Sequence, residues 1–262
     1  DIFATADIAI GAGGTTAWER CCCGVPSIIV SIADNQVPGS TALAEAGIVR
    51  YLGDQSAVDL ESLRRTIEAL IANESARREM SRAGRLLVDG WGAQRVAEVV
   101  APSPVETLAV RCATALDRAF LYRLANDPLV RAQSFSSAEI PWENHLGWFA
   151  RKMSDPNSHI YILTARELAV GVIRFDINGP AATLNYALDA VGRGRKWGAV
   201  LVRLGLRELA AVWAGDVHAA VKADNVASRL IFEKLAFRPV DTRTADYLFV
   251  LDGKDLKERF GR

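Results

Sequence analysis

Residues Leu184–Leu201 read LNYALDAVGRGRKWGAVL. An apolar strand, Ala182–Leu188, runs into a loop rich in glycine and basic residues. That loop runs directly into an amphipathic helix predicted over Trp197–Val212. Such an arrangement aims several backbone N–H groups and the positive end of a helix dipole at one spot. Arg193, Arg195 and Lys196 add full charges there, so a pyrophosphate is the natural guest. A glycine-rich loop alone is weak evidence, because the same pattern suits a strand–turn–helix with solvated basic residues.

A second stretch lies downstream. Val221–Ser228 reads VKADNVAS, and Phe232–Phe237 reads FEKLAF. The pattern predicts a strand over Val217–Val221, then Asn225 in the position of a helix cap, then a helix over Asn225–Leu235. Asparagine is among the favoured N-caps, so capping alone accounts for it.

Together the two stretches resemble the coenzyme A loop and the late strand–Asn–helix segment of the GNAT N-acetyltransferase superfamily. The resemblance covers about residues 107–251. Arg193, Gly194 and Gly198 fit the loop pattern, and Lys196 stands where the family has its middle glycine. The resemblance implies acetyl-CoA as cofactor, held by Ala187, Leu188, Arg193, Gly194, Arg195, Lys196, Trp197, Gly198, Ala199, Asn225, Ser228 and Phe232. It also implies that Asn185–Leu188 splay from the next strand, leaving backbone N–H groups to polarise the thioester carbonyl. The family often has a proton-donating tyrosine seven residues after the Asn; here that position is Phe232. Ala236 replaces a glycine late in the motif.

The candidate catalytic residues are His145, Glu143, Tyr247 and Asn225. A histidine titrates in the range a general base needs. His145 and Glu143 lie on a helix predicted over Pro141–Met153, and Tyr247 on the last strand is a further candidate donor. His145 as an ordinary helix residue is the plainer alternative. A competing, non-enzymatic reading is a degenerate domain that binds coenzyme A and scaffolds a partner, and Phe232 and Lys196 are the features that admit it.

The first hundred residues have another rhythm. Strands are predicted over Ala6–Ile10, Ser27–Ile32 and Ile48–Leu52, with helices from about Thr16, over Gln36–Ala46, Leu60–Ala72 and Glu74–Val88. This alternation is the signature of a parallel sheet covered by helices. Ala6–Gln36, ADIAIGAGGTTAWERCCCGVPSIIVSIADNQ, resembles the C-terminal lobe of GT-B-like nucleotide-sugar enzymes. The likeness is to the UDP-2,4-diacetamido-2,4,6-trideoxy-altropyranose hydrolases of pseudaminic acid biosynthesis. It implies that Gly13, Gly14 and Thr15 face a diphosphate, Glu19 the ribose, and Asn35 and Gln36 the sugar. It also implies a missing first lobe, so no hydrolase activity is expected of this chain alone, and that lobe is an expected partner.

Ala101-Pro102-Ser103-Pro104 blocks both helix and central strand, which places the boundary between a domain at 1–101 and one at 107–252. The second half is predicted to hold strands at Thr107–Cys112, His159–Ala165, Leu168–Asp176, Ala182–Leu188, Val217–Val221 and Asp246–Leu251. The expected fold class is therefore α/β: a partial Rossmann-like lobe with a parallel sheet, then an α+β GNAT domain with a mixed, mostly antiparallel sheet. Leu124–Pro128 (LANDP), Ser134-Phe135 and His145–Phe149 resemble the acetyltransferase that acts on the 4-amino group of a UDP-linked sugar. The acceptor this implies is a nucleotide-linked amino sugar, with Arg123, Arg131 and Arg174 as candidate anion contacts. The alternative acceptor is another amine, such as a protein N-terminus or a small molecule.

The 262 residues contain 31 Lys plus Arg and 31 Asp plus Glu, a formal charge of zero. That argues against a nucleic-acid binder held by bulk electrostatics. No apolar run is long enough for a membrane span. Cys21, Cys22, Cys23 and Cys112 lack metal-ligand spacing and read as small apolar residues of a reducing, cytoplasmic protein, with no metal expected.

Overall fold

The computed structural model describes residues 2–240 and 246–261. Contacts divide the chain into two compact units, Asp1–Gly92 and Ala93–Arg262.

The first unit runs β1 (Ala9–Ala12), α1 (Thr15–Cys23), β2 (Ser27–Ser31), α2 (Val37–Glu45), β3 (Val49–Asp54), α3 (Leu60–Ala72) and α4 (Glu74–Leu87). The three strands form a parallel sheet in the order β1-β2-β3. β2 is its centre, and Ile28 and Ile29 face opposite sides with no exposure, as a strand covered on both faces requires. Asp59 caps α3 by accepting from the Ser62 amide at 2.7 Å, and Asn73 caps α4 by accepting from the Ala76 amide at 2.9 Å. β1 begins three residues later than Ala6 and runs on through Gly11 and Ala12. Neither residue favours a strand, but the parallel register with β2 pairs Ala9 with Ser27 and Ala12 with Val30.

α5 (Gly92–Val100) begins at the last residue of the first unit and otherwise belongs to the second, ahead of the proline-rich stretch. Then follow β4 (Leu108–Cys112), α6 (Arg118–Ala125), α7 (Pro128–Gln133), α8 (Trp142–Ser154), β5 (Ser158–Ala165), β6 (Leu168–Asn178), β7 (Ala181–Leu188) and α9 (Trp197–Val212). The unit ends with β8 (Asp216–Val221), α10 (Val226–Lys234), β9 (Arg238–Val240), β10 (Tyr247–Leu251) and α11 (Gly253–Phe260). Its seven-stranded sheet has the order β4-β5-β6-β7-β8-β10-β9. Only β7 and β8 pair in parallel; the other neighbours are antiparallel. The expected α/β class, with a parallel sheet and a mixed, mostly antiparallel one, is what the chain adopts.

The core of this unit gathers β6, β7 and β8 around α9. Leu201, Leu206 and Leu209 on α9 have no exposure, nor have Ile173, Phe175 and Phe249 on the sheet. Each such side chain contributes about 1.5–3 kcal/mol by leaving water. Gly205 lets α9 approach β6: a Cβ there would lie 2.7 Å from Ile173 side-chain atoms. A buried Asp117 (4% exposed) ties β4 to the start of α6, accepting from the Arg111 guanidinium at 2.6 and 2.8 Å and from the Thr114 amide at 2.7 Å.

Candidate functional site

The β7–β8 pairing is short. Ala181, Ala182 and Thr183 pair with Asp216, Val217 and His218, and the ladder then stops. From Leu184 to Leu188, β7 keeps its partner β6 but has none in β8. The two strands therefore part, and the edge of β7 facing the gap offers unpaired backbone groups. This is the splay anticipated for Asn185–Leu188.

A cavity of about 1020 Å³ occupies this region. Ala187, Leu188, Arg193, Gly194, Lys196, Trp197, Gly198, Asn225, Ser228 and Phe232 all line it. Arg195 and Ala199, also expected at the cofactor, are not among its lining residues. Arg195 instead lies over the Trp197 ring, 5.2 Å from its centroid.

The loop gets its shape from two left-handed residues. Gly194 has φ +74° and Lys196 φ +63°. Lys196 is the residue that replaces a glycine in the motif, and the backbone keeps the glycine-like conformation, at a cost of about 1–2 kcal/mol. Ala236, the other replaced glycine, also has φ +67°, just past the end of α10, where a left-handed residue closes a helix. Ala236→Gly is expected to raise stability by about 0.5–1 kcal/mol, since strain relief exceeds the added freedom of the unfolded chain. Urea unfolding checks this, and an unchanged or lowered midpoint refutes it.

Arg193 is held in place. Its Nε donates to the Leu188 carbonyl at 3.0 Å and its Nη2 pairs with Asp127 at 2.7 Å. Asp127 also caps α7, accepting from the Leu129 and Val130 amides. Burial pushes the Asp127 carboxyl up, but Arg193 and the two amides outweigh it and hold it below its ordinary value. Asp189, at the start of the loop, is pushed up by burial despite the Val191 amide and nearby arginines.

On the far strand side, Asn225 caps α10, its Oδ1 accepting from the Ser228 amide at 3.1 Å. The Ser228 hydroxyl meets the Tyr186 hydroxyl at 2.8 Å. The Phe232 ring stands edge-on to Tyr186, with centroids 5.9 Å apart. Burial raises the Tyr186 phenol above its ordinary range, the Ser228 contact opposing.

The candidate bases separate. His145 is 2% exposed, yet it lines the cavity. Its ring packs among Tyr122, Trp142, Trp148 and Phe149. Its Nε2 lies 3.1 Å from the Arg118 carbonyl; a carbonyl only accepts, so Nε2 carries the proton. Burial lowers its pKa, the Arg118 carbonyl opposing. Glu143 is exposed on α8, and Tyr247 lies under the Arg229 guanidinium, 4.3 Å from its centroid. The structure does not bring either to the cavity wall.

The charged residues of the cavity wall are Arg131, Arg174, Arg193, Lys196 and Lys222, and no Asp or Glu lines it among the described residues. Of these, Arg131, Arg174, Arg193 and Lys196 were candidates in the sequence and Lys222 was not. Arg174 has Asp176 beside it at 2.8 Å and lies over the Trp148 ring. Lys222 donates to the Ala132 carbonyl. Arg123, a candidate anion contact, does not line the cavity. Asn185 and Tyr186 also line the cavity; the sequence assigns these two residues a backbone role only, and the alternation Leu184-Tyr186-Leu188 was the available signal for the Tyr186 side chain.

In the first unit, Gly13, Gly14 and Thr15 form the turn into α1. A Cβ on Gly13 would lie 2.1 Å from Ser40 Oγ, so only glycine fits there. Gln36 Oε1 accepts from the Ile32 amide at 3.1 Å, while Glu19 and Asn35 are exposed. The buried Arg20, not singled out by the sequence, braces the turn by donating to the Ala12 carbonyl at 2.8 Å. The cysteines are free, and no group of metal-ligating side chains occurs among the described residues. No helix of the described residues is long and apolar enough to cross a membrane.

No family model matches the chain. The chain is 33% identical over 95 residues to the spore coat polysaccharide biosynthesis protein SpsG of Bacillus subtilis (strain 168). That match covers 36% of this chain and spans 28% of the length of that relative. Among solved structures, the spermidine N-acetyltransferase of Vibrio cholerae, in complex with CoA and spermine, matches at 12% identity and a TM-score of 0.52. The match covers 58% of this chain and 98% of that one. A chimera of the Vibrio cholerae enzyme with hSSAT matches at 11% identity, 58% and 99% coverage and a TM-score of 0.51. These likenesses establish the fold: the seven-stranded unit has the fold of the GNAT N-acetyltransferases.

Proposed function

We propose that the second unit transfers an acetyl group from acetyl-CoA to the amine of an anionic acceptor, a nucleotide-linked amino sugar. The parted strands and the loop at Arg193–Gly198 supply a place for a thioester arm and its pyrophosphate. Direct attack by a bound neutral amine needs mainly positioning and a polarised carbonyl, and the unpaired edge of β7 suits the second task.

The observation that carries the acceptor class is the cavity wall, which has five cationic side chains and no carboxylate among the described residues. A polyamine such as spermidine meets like charge there, whereas a diphosphate meets complementary charge. The loop consumes part of that charge, through Arg193 and Lys196. Arg131, Arg174 and Lys222 remain for the acceptor. The resemblance of LANDP and its neighbours to a UDP-4-amino-sugar acetyltransferase supports the same reading, and a polysaccharide-biosynthesis relative agrees with it. The first unit is the companion nucleotide-sugar lobe of this reading, with Gly13, Gly14, Thr15 and Glu19 at its diphosphate and ribose.

Thiol release from acetyl-CoA tests the proposal. A UDP-4-amino-4,6-dideoxy sugar is expected to give a kcat/KM at least tenfold above spermidine. Arg174→Glu is expected to lower that value by about tenfold or more, on the order of one lost charge contact. A preference for spermidine would refute the acceptor class, and no acceptor-stimulated release would refute acetyl transfer.

A further inference from the structure

We propose that Tyr186 is the acid that protonates the departing thiolate, with Ser228 as the group that returns its proton; this rests on the acetyl-transfer reading above. The reaction requires such a group. The amine nitrogen bonds to the acetyl carbon, the C–S bond breaks, and its electron pair stays on sulfur. A thiolate left bare beside an apolar wall is costly.

The cavity leaves few donors for it. Phe232, at the place where α10 meets the gap, has no exchangeable proton. Arginines hold their protons far too tightly to act as acids. The Nε2–H of His145 is engaged in a hydrogen bond to the Arg118 carbonyl, and its ring is enclosed by aromatic side chains. Lys196 and Lys222 are the anion contacts assigned above, Lys222 also donating to the Ala132 carbonyl.

Tyr186 meets the requirement by position. It lies on β7 within the stretch that has lost its β8 partner, so it stands in the gap where a thioester is to be threaded. Its hydroxyl and that of Ser228 are 2.8 Å apart, both residues line the cavity, and the Ser228 backbone is fixed by the Asn225 cap. The Phe232 ring packs edge-on against the phenol. In the step, the Tyr186 O–H proton passes to sulfur. The acetylated nitrogen releases one proton, and this returns to the tyrosinate through the Ser228 hydroxyl. Amine plus acetyl thioester thus become amide plus thiol, with no other reactant.

Tyr186→Phe keeps the ring and its packing. It is expected to lower kcat about 100-fold, within the range of a lost general acid, with KM for acetyl-CoA and the dissociation constant for CoA within twofold of wild type. The wild-type kcat should decline only at alkaline pH as the raised phenol ionises, and that decline should vanish in Tyr186→Phe. Ser228→Ala should lower kcat several-fold, by more than it changes the KM for acetyl-CoA. A Tyr186→Phe enzyme with kcat within threefold of wild type overturns the assignment. So does a loss that appears wholly as a raised KM, which would mark Tyr186 as a wall residue. A wild type inert toward every amine in the same assay sinks the acetyl-transfer reading itself, and this assignment with it.

Discussion

Arg193→Glu is expected to weaken CoA binding by roughly 100-fold. Loss of charge-assisted hydrogen bonding costs about 1.5–3 kcal/mol, and each 1.4 kcal/mol or so is tenfold in affinity. Two features push the effect to the upper end. The new carboxylate would face the anionic pyrophosphate, and it would also face Asp127, which in the native protein pairs with Arg193 at 2.7 Å. Arg193 Nε additionally holds the Leu188 carbonyl, so the loop loses its tie to the end of β7. Arg193→Gln separates the effects: it removes the charge without adding repulsion and should cost about tenfold. Calorimetric titration with CoA measures both. Affinity within threefold of wild type for Arg193→Glu would show that the loop does not cradle the pyrophosphate.

Trp197→Ala is expected to destabilise the second unit by about 3–5 kcal/mol, as large aromatic truncations in cores do. At a few degrees per kcal/mol for a unit of this size, the melting point should fall by roughly 10 °C. Trp197 is 2% exposed at the first turn of α9 and belongs to the main core cluster. It also carries the loop: the Arg195 guanidinium lies over its ring, and Gly192 passes so close that a Cβ there would sit 3.3 Å from the indole. The variant should therefore bind CoA more weakly even at temperatures where it is folded. A melting point within 3 °C of wild type would contradict this account of how the loop is fastened.

Much of the fold could be read in the chain because its buried elements announce themselves. α9 is bounded at Trp197 and Val212 as its amphipathic pattern implied, and β5, β6 and β7 follow one another antiparallel as their apolar runs suggested. The elements that escaped are α5, α7, β9 and α11. α5 and α11 are short amphipathic segments, α7 has six residues, and β9 has three exposed ones. Such segments are held by tertiary packing and capping rather than by pattern or propensity. Asp127-Pro128 was a legible start for α7, since a capping Asp followed by proline at the first helical position is a helix signature.

The site divides along the same line. Arg193, Gly194 and Gly198 are local in sequence and their role in a loop is a local property. The charge of the cavity wall is not local. It comes from Arg131, Arg174 and Lys222, which the fold gathers from α7, β6 and the end of β8. No stretch of sequence is basic at those positions, and the chain as a whole is neutral. Likewise the fate of His145 was decided by packing: its helix position suits a base, but its ring is enclosed by aromatic side chains and tied to the Arg118 carbonyl.

Acetyl transfer to an anionic amino sugar is read from the mass of the product. Incubated with acetyl-CoA and a UDP-4-amino-4,6-dideoxy sugar, the protein should add one acetyl group to the sugar for each thiol released, and should leave spermidine unmodified under the same conditions. An unchanged sugar, or an acetylated spermidine in its place, would refute transfer to an anionic amino sugar.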